Sequence, residues 1–202
     1  MDFNKRYIEY KTKVDEYLSQ FIDESKPQTL YHPARYVLVG GGKRIRPLVV
    51  LLSCEAVGGS TEDALHASAA VEILHNFTLV HDDIMDNANS RRGRATVHKK
   101  WDTNVAILAG DALLALAYRA LLRTNSTRIQ EICEAFTEGV VVVCEGQAYD
   151  KEFETRKRVG VEDYLERFRR LAHSTAFGTS LSRIPSFWSL SRTRIAPSRS
   201  TG

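Results

Sequence analysis

Sulfur is scarce in this chain. Its three cysteines, Cys54, Cys133 and Cys144, are odd in number and form no CxxC pair. That excludes a disulfide framework and a structural zinc site, and it predicts three small buried apolar residues. No segment sustains the alternation of a strand and no internal repeat stands out, so the expected class is all-α. Apolar runs are also short. The longest, Val105 to Tyr118, is broken by Asp111 and falls below the roughly 20 residues of a membrane span. The opening residues, MDFNKRYIEYK, are charged and aromatic, unlike a signal peptide's apolar core or an acid-free transit peptide. These absences together predict a soluble, cytoplasmic protein.

Acidic residues disappear after Glu166, whereas Arg167, Arg169, Arg170, Arg183, Arg192, Arg194 and Arg199 follow it. The formal charge of +3 therefore belongs to the tail, and the chain before it is net acidic. The basic isoelectric point thus gives no ground for a nucleic-acid partner. From Ala172 to Gly202 the composition is eight serines, four arginines and two prolines with no lysine or acid. Such a stretch buries too little surface to fold and is expected to be disordered. We divide the chain into a helical domain, 1–171, and a Ser/Arg-rich tail, 172–202. The abrupt change of composition points to an early stop or a shifted reading frame.

What is present is a series of helical apolar stripes. Residues 3–24 place Phe3, Tyr7, Tyr10, Val14, Tyr17, Leu18 and Phe21 at spacings of three and four, the period of an amphipathic helix. A second helix is expected over 30–39, stopped by Gly40, Gly41 and Gly42. Pro47 suits the first turn of a third, which Gly58 and Gly59 close. Ser60 or Thr61 caps a fourth, with Glu62 and Asp63 in its first turn, running to about Met85. Further helices are expected over 103–123, 126–149 and 163–171, with a polar connection at 155–160.

The fourth helix ends in EILHNFTLVHDDIMDNANSRRGR, residues 72–94. Three carboxylates crowded at the end of an apolar face raise one another's pKa unless a counter-charge is near. On a helix, Asp82 and Asp86 share one face about 6 Å apart. A carboxylate pair without histidine or cysteine suits Mg²⁺, which keeps several waters and takes phosphate oxygens as further ligands. Asp83 lies beside them. His75, roughly 10.5 Å before Asp82 on nearly the same face, could meet a second phosphate. Arg91 and Arg92 diverge and suit two anions. Lys43 and Arg46, in GGGKRIRP, are three apart and can converge on one anion beside a glycine loop. On sequence grounds Arg44 is a solvated cation, Glu72 a cap-turn or surface acid, and Asp111 a structural acid paired with an internal base. Gln147 and Asp150 share one face of a late helix.

GGKRIRP at 41–47, LVHDDIMD at 79–86 and RRG at 91–93, in this order, closely resemble the trans-isoprenyl diphosphate synthases, or polyprenyl synthetases. The likeness covers roughly residues 3–170 and includes the GD at 110–111 and the GQ at 146–147. It implies an isoprenoid-synthase-type helical bundle around a deep central cavity, a homodimer, and Mg²⁺-dependent joining of an allylic diphosphate to isopentenyl diphosphate. By similarity, Asp82 and Asp86 hold the metal and Asp83 supports them. Arg91 would bind the allylic diphosphate; Lys43, Arg46, His75 and Arg92 would bind isopentenyl diphosphate. Gln147 belongs to the expected substrate-binding set. By the same resemblance Phe77, the fifth residue before Asp82, would limit the product to fifteen or twenty carbons, and the lack of extra residues between Asp83 and Asp86 favours geranylgeranyl over farnesyl diphosphate.

Departures from the family pattern are equally plain. A second aspartate-rich motif belongs much further on, and nothing after Glu166 supplies it. The lysine-threonine pair expected near Leu171 is replaced by RRLAHSTA. The last helices of the bundle are therefore expected to be missing, which puts the activity of the chain as written in question. The rival reading is a non-catalytic partner subunit of a prenyl diphosphate synthase.

Overall fold

The computed structural model describes residues 2–22, 26–155, 160–163 and 165. Among them the chain forms α1 (Phe3–Phe21), α2 (Gln28–Leu38), α3 (Ile45–Ala56), α4 (Thr61–Met85), α5 (Val97–Lys100), α6 (Thr103–Leu121) and α7 (Ile129–Thr155). The short strands β1 (Ser90–Arg91) and β2 (Arg94–Ala95) pair as an antiparallel hairpin. Apart from residues 163 and 165, the last expected helix and the tail 172–202 lie outside the described residues.

The caps and stripes explain the long helices. The Asp2 carboxylate accepts the Asn4 amide at 3.0 Å and opens α1, whose buried face is Tyr10, Val14, Leu18 and Phe21. Ser60 caps α4 by accepting from the Asp63 amide, with Glu62 and Asp63 at the positive end of the helix dipole. Every residue of α4 from Ala67 to Leu74 is buried, as in a helix enclosed on all sides. Its alanines let neighbouring backbones close in, and α4 touches α1, α2, α3, α5 and α6. It is the axis of the bundle.

The packing of α6 on α4 turns on one glycine. A Cβ at Gly110 would stand 2.2 Å from Cε1 of His81, so only glycine admits the imidazole there. Helix α6 spans 19 residues and is long and apolar enough to cross a membrane by length and composition. The buried core helix of a bundle passes the same test. Its Ala106, Ala109, Gly110, Leu113 and Ala117 are buried within the bundle. The rim of α7 rests on α6 through the Tyr118 and Phe136 rings, 5.1 Å apart.

Two expectations about cysteines are corrected, and two short elements escaped the sequence reading. Cys54 is buried, but Cys133 is half-buried and Cys144 exposed, because the helical stripe of α7 turns Cys144 away from the core. Residues 86–96 hold the β1–β2 hairpin and lead into α5, neither of which the periodicity revealed. Arg92 and Gly93, at φ of 53° and 73°, form its two-residue left-handed turn, and a two-residue strand is too short to show alternation.

Candidate active site

The N-terminal edge of α3 builds a cationic cleft. Gly41, Gly42 and Arg44 all have positive φ (77°, 146° and 51°), and a Cβ on Gly42 would sit 2.9 Å from Nη1 of Arg92. The positive φ favours glycine there, while the approaching atom is the flexible end of Arg92 and can swing aside. The loop brings Lys43 and Arg46 into one cleft of about 540 Å³ with His75 and Arg92. The Tyr7 hydroxyl donates to the Lys43 carbonyl at 3.0 Å, and the Arg92 guanidinium donates to the Gly41 carbonyl. Burial pushes the His75 imidazole down to about 3, and Arg46, Arg92, Arg91 and Arg44 push it further the same way. Burial also lowers Arg46, with Glu72 opposing and Arg92 adding to the effect. Crowded cations around a neutral imidazole make a cavity that favours an anion.

Arg44 and Glu72 depart from their expected surface roles. The Arg44 side chain is 2% exposed and that of Glu72 3%. Nη1 of Arg44 donates to Glu72 at 2.7 Å, Nε to Asp15 at 2.8 Å and Nη2 to the Leu38 carbonyl at 2.7 Å. The hint in the sequence was an acid inside the buried run AAVEIL, since a buried acid needs a partner.

At the other end of α4, Asp82 is half-buried and Asp86, the C-cap, is exposed. Both line a mouth of about 570 Å³ with Gln147, Asp150, Lys151 and Glu154 of α7. Burial raises the Asp82 carboxyl to about 6; Arg91 opposes this, while Asp86 and Asp83 add to it. Oδ1 of Asp82 is buried without a hydrogen-bond partner. An orphaned, reluctant carboxylate beside a second one is a fit for a hard divalent cation. No group of three or more His, Cys, Asp or Glu side chains gathers as a metal cage among the described residues. A site of two carboxylates completed by water and phosphate oxygens has no need of one. Asp83 is buried and bound at 2.8 Å by Nε of Arg91. Arg91 consequently lies with Asp83 in a small cavity against α2 and the hairpin, outside the lining of the mouth that holds Asp82 and Asp86.

Between cationic cleft and acidic mouth lies an apolar passage of about 200 Å³. Val71, Leu74, Thr78 and Leu79 of α4 face Gly139 and Val143 of α7 across it, with Arg46 and His75 at one end and Asp82 and Gln147 at the other. Sequence reasoning missed this apolar wall, although 71, 74, 78 and 82 follow the helical spacing from Asp82. Phe77 is not among the residues lining the passage. Its ring lies tilted against that of His81, centroids 4.7 Å and planes 56° apart, on the side of α4 that meets α6. Asp111 is 66% exposed, with Nε2 of His81 at 3.6 Å, so the expected buried base is replaced by a surface imidazole contact.

Residues 27–182 match the polyprenyl synthetase family. This chain belongs to that family. It is 43% identical to a geranylgeranyl diphosphate synthase of Methanosarcina mazei over 155 residues, which are 76% of this chain and 48% of that protein. A short chain isoprenyl diphosphate synthase of Methanothermobacter thermautotrophicus is 42% identical over 167 residues, 82% of this chain and 50% of that protein. Among solved structures, the geranylgeranyl pyrophosphate synthetase of the archaeon Geoglobus acetivorans superposes with a TM-score of 0.83 at 40% identity, covering 90% of this chain and 60% of that one. The chain spans about half the length of the curated relatives it matches. The fold is the expected all-α bundle of prenyl synthases, and the family match extends past residue 171.

Proposed function

We propose that this chain carries the first half of a Mg²⁺-dependent prenyltransferase that condenses isopentenyl diphosphate with an allylic diphosphate to a short-chain product, geranylgeranyl or farnesyl diphosphate. One observation carries the reading: a cationic cleft, an apolar passage and an acidic mouth follow one another along α4. Two diphosphates and a hydrocarbon chain need those three environments in that order. Lys43, Arg46, His75 and Arg92 would hold isopentenyl diphosphate. Asp82 and Asp86, with Gln147 across the mouth, would hold the metal and the allylic diphosphate. Magnesium bound there would offset the charge developing on the leaving diphosphate. Arg91, braced on Asp83, places a further positive charge behind Asp82.

In the condensation, the allylic C–O bond breaks with its electron pair leaving on the diphosphate. The isopentenyl double bond attacks the resulting carbon, and the departed diphosphate takes the released proton. The protein's part is to align the two carbons and exclude water, which Val71, Leu74, Leu79 and Val143 do along the passage. The exposed Ile107 and Leu108 of α6 and Leu122 at its C-cap support a homodimer, and we assign the protein to the cytoplasm.

Incubation with Mg²⁺, isopentenyl diphosphate and dimethylallyl or farnesyl diphosphate tests the reading. Condensation is expected once a full-length C-terminal portion is supplied, and its absence defeats the synthase reading. A non-catalytic partner subunit would instead bind without turning over. Phe77 remains the residue we propose for product length, acting through its ring contact with His81. Phe77→Ala should shift the product distribution towards longer chains by chromatography, and an unchanged distribution removes Phe77 from that role.

A further inference from the structure

The cationic cleft poses a structural problem that its own ligands do not solve. Lys43 is exposed in a loop that Gly41 and Gly42, both at positive φ, make adaptable, whereas Arg46 is half-buried on the first turn of α3 just beyond it. Two cations that must meet one diphosphate need a fixed separation. The residue between them supplies it. Arg44 has three of its nitrogens committed to partners on three different helices: Asp15 on α1, the Leu38 carbonyl at the end of α2, and Glu72 on α4. Its guanidinium is the point where the loop, α1, α2 and α4 meet. With a side chain 2% exposed, it has no face left for a ligand.

We propose that the buried Arg44–Glu72–Asp15 network is the positioning device of the isopentenyl diphosphate subsite, holding the left-handed loop corner so that Lys43 and Arg46 converge on one diphosphate. The inference rests on the reading of the cleft given above. Arg44 is a positioning residue, since it touches no substrate. The anchor is selective by geometry. Glu72 stands one turn before His75 and ten residues, roughly 15 Å, before Asp82. Loss of the anchor therefore loosens the cationic end of the cavity and leaves the acidic mouth in place. Glu72 also offsets positive charge where Arg44, Arg46, His75 and Arg92 crowd, so the loop is held together before any anion enters.

The test uses the 202-residue chain. A buried charge stripped of its partner can unfold a protein. Glu72→Gln and Arg44→Lys are therefore accompanied by the double variant Arg44→Met with Glu72→Met, which removes both charges and leaves Asp15 to its second partner, Lys11. Two readouts are taken: amide hydrogen exchange over residues 40–46, and calorimetric titration with isopentenyl diphosphate and, separately, with Mg²⁺ and farnesyl diphosphate. In variants with native helix content, exchange over 40–46 should quicken and the affinity for isopentenyl diphosphate should fall about tenfold or more, as for a misplaced binding group. The farnesyl diphosphate affinity should stay within about twofold, because additivity holds for distant sites. Native exchange over 40–46 in the folded double variant overturns the proposal. So does an equal loss of both affinities, which marks a general packing role. If the unaltered chain binds no isopentenyl diphosphate, the reading of the cleft fails, while loop exchange still decides whether Arg44 positions the corner.

Discussion

Asp82→Asn is expected to abolish Mg²⁺-assisted binding of an allylic diphosphate and, at the same time, to make the metal-free protein more stable at neutral pH. Both effects come from one property. Burial, with Asp86 and Asp83 nearby, holds the Asp82 carboxyl at about 6 against an ordinary 3.8, despite the opposing charge of Arg91. The folded pKa is raised, so the protonated carboxyl stabilises the metal-free fold fully below 3.8. That contribution is lost as pH climbs through about 6. At neutral pH the ionised group is a cost to folding, and its buried Oδ1 finds no partner. Asparagine is neutral at every pH and escapes it. Thermal unfolding without metal should therefore show a higher midpoint for the variant at pH about 8 and a smaller difference at pH about 5. Mg²⁺ competes with the proton for Asp82, so its affinity in the unaltered protein should fall as pH drops through about 6. In a complete synthase the same substitution should cost turnover about a hundredfold or more. Wild-type Mg²⁺ dependence in the variant would remove Asp82 from the metal site.

Gly110→Ala should destabilise the bundle by about 2 kcal/mol, since overpacking a tight core costs roughly 1–3 kcal/mol and occasionally more. The better helix propensity of alanine returns only about 1 kcal/mol. The added Cβ would lie 2.2 Å from Cε1 and 2.7 Å from Nδ1 of His81. The imidazole is restrained by Phe77, whose carbonyl lies 3.2 Å from Nδ1, and by the tilted ring contact between the same two residues. To admit alanine, His81 or the whole of α6 must move, and His81 is the residue next to Asp82. Denaturant unfolding should show the lower midpoint, and His81→Ala in the same background should recover most of the loss. An unaltered midpoint for Gly110→Ala would mean that α4 and α6 do not approach this closely in solution.

Helix positions were legible because their signals are local. The stripe from Tyr10 to Phe21, the Ser60 cap and the proline at 47 each act within one or two turns. The carboxylates of the mouth were legible for the same reason, since Asp82 and Asp86 are one turn apart on one helix. Hairpin β1–β2 was not, because two-residue strands carry no period and the left-handed Arg92 violates the residue preference of its turn. Arg44 and Glu72 were read singly, as a solvated cation and a cap-turn or surface acid, and Asp15 carried no signal of its own. Their meaning is a pair of contacts made by Arg44 to residues 28 and 29 positions away, and no local pattern encodes such contacts.

Helical class and the shared face of Asp82 and Asp86 follow from the sequence alone, because spacing along a helix converts directly into shared faces, and the family is legible in the motifs GGKRIRP, LVHDDIMD and RRG. Only the tertiary structure decides that Lys43, Arg46, His75 and Arg92 share one cleft, and that Arg91 braces Asp83 rather than lining the mouth. It alone sets Phe77 against His81 and α6 instead of along the passage. Each of these depends on how α3, α6, α7 and the hairpin pack around α4, a matter of long-range shape complementarity and of which side chain is small enough, like Gly110, to let its neighbour in.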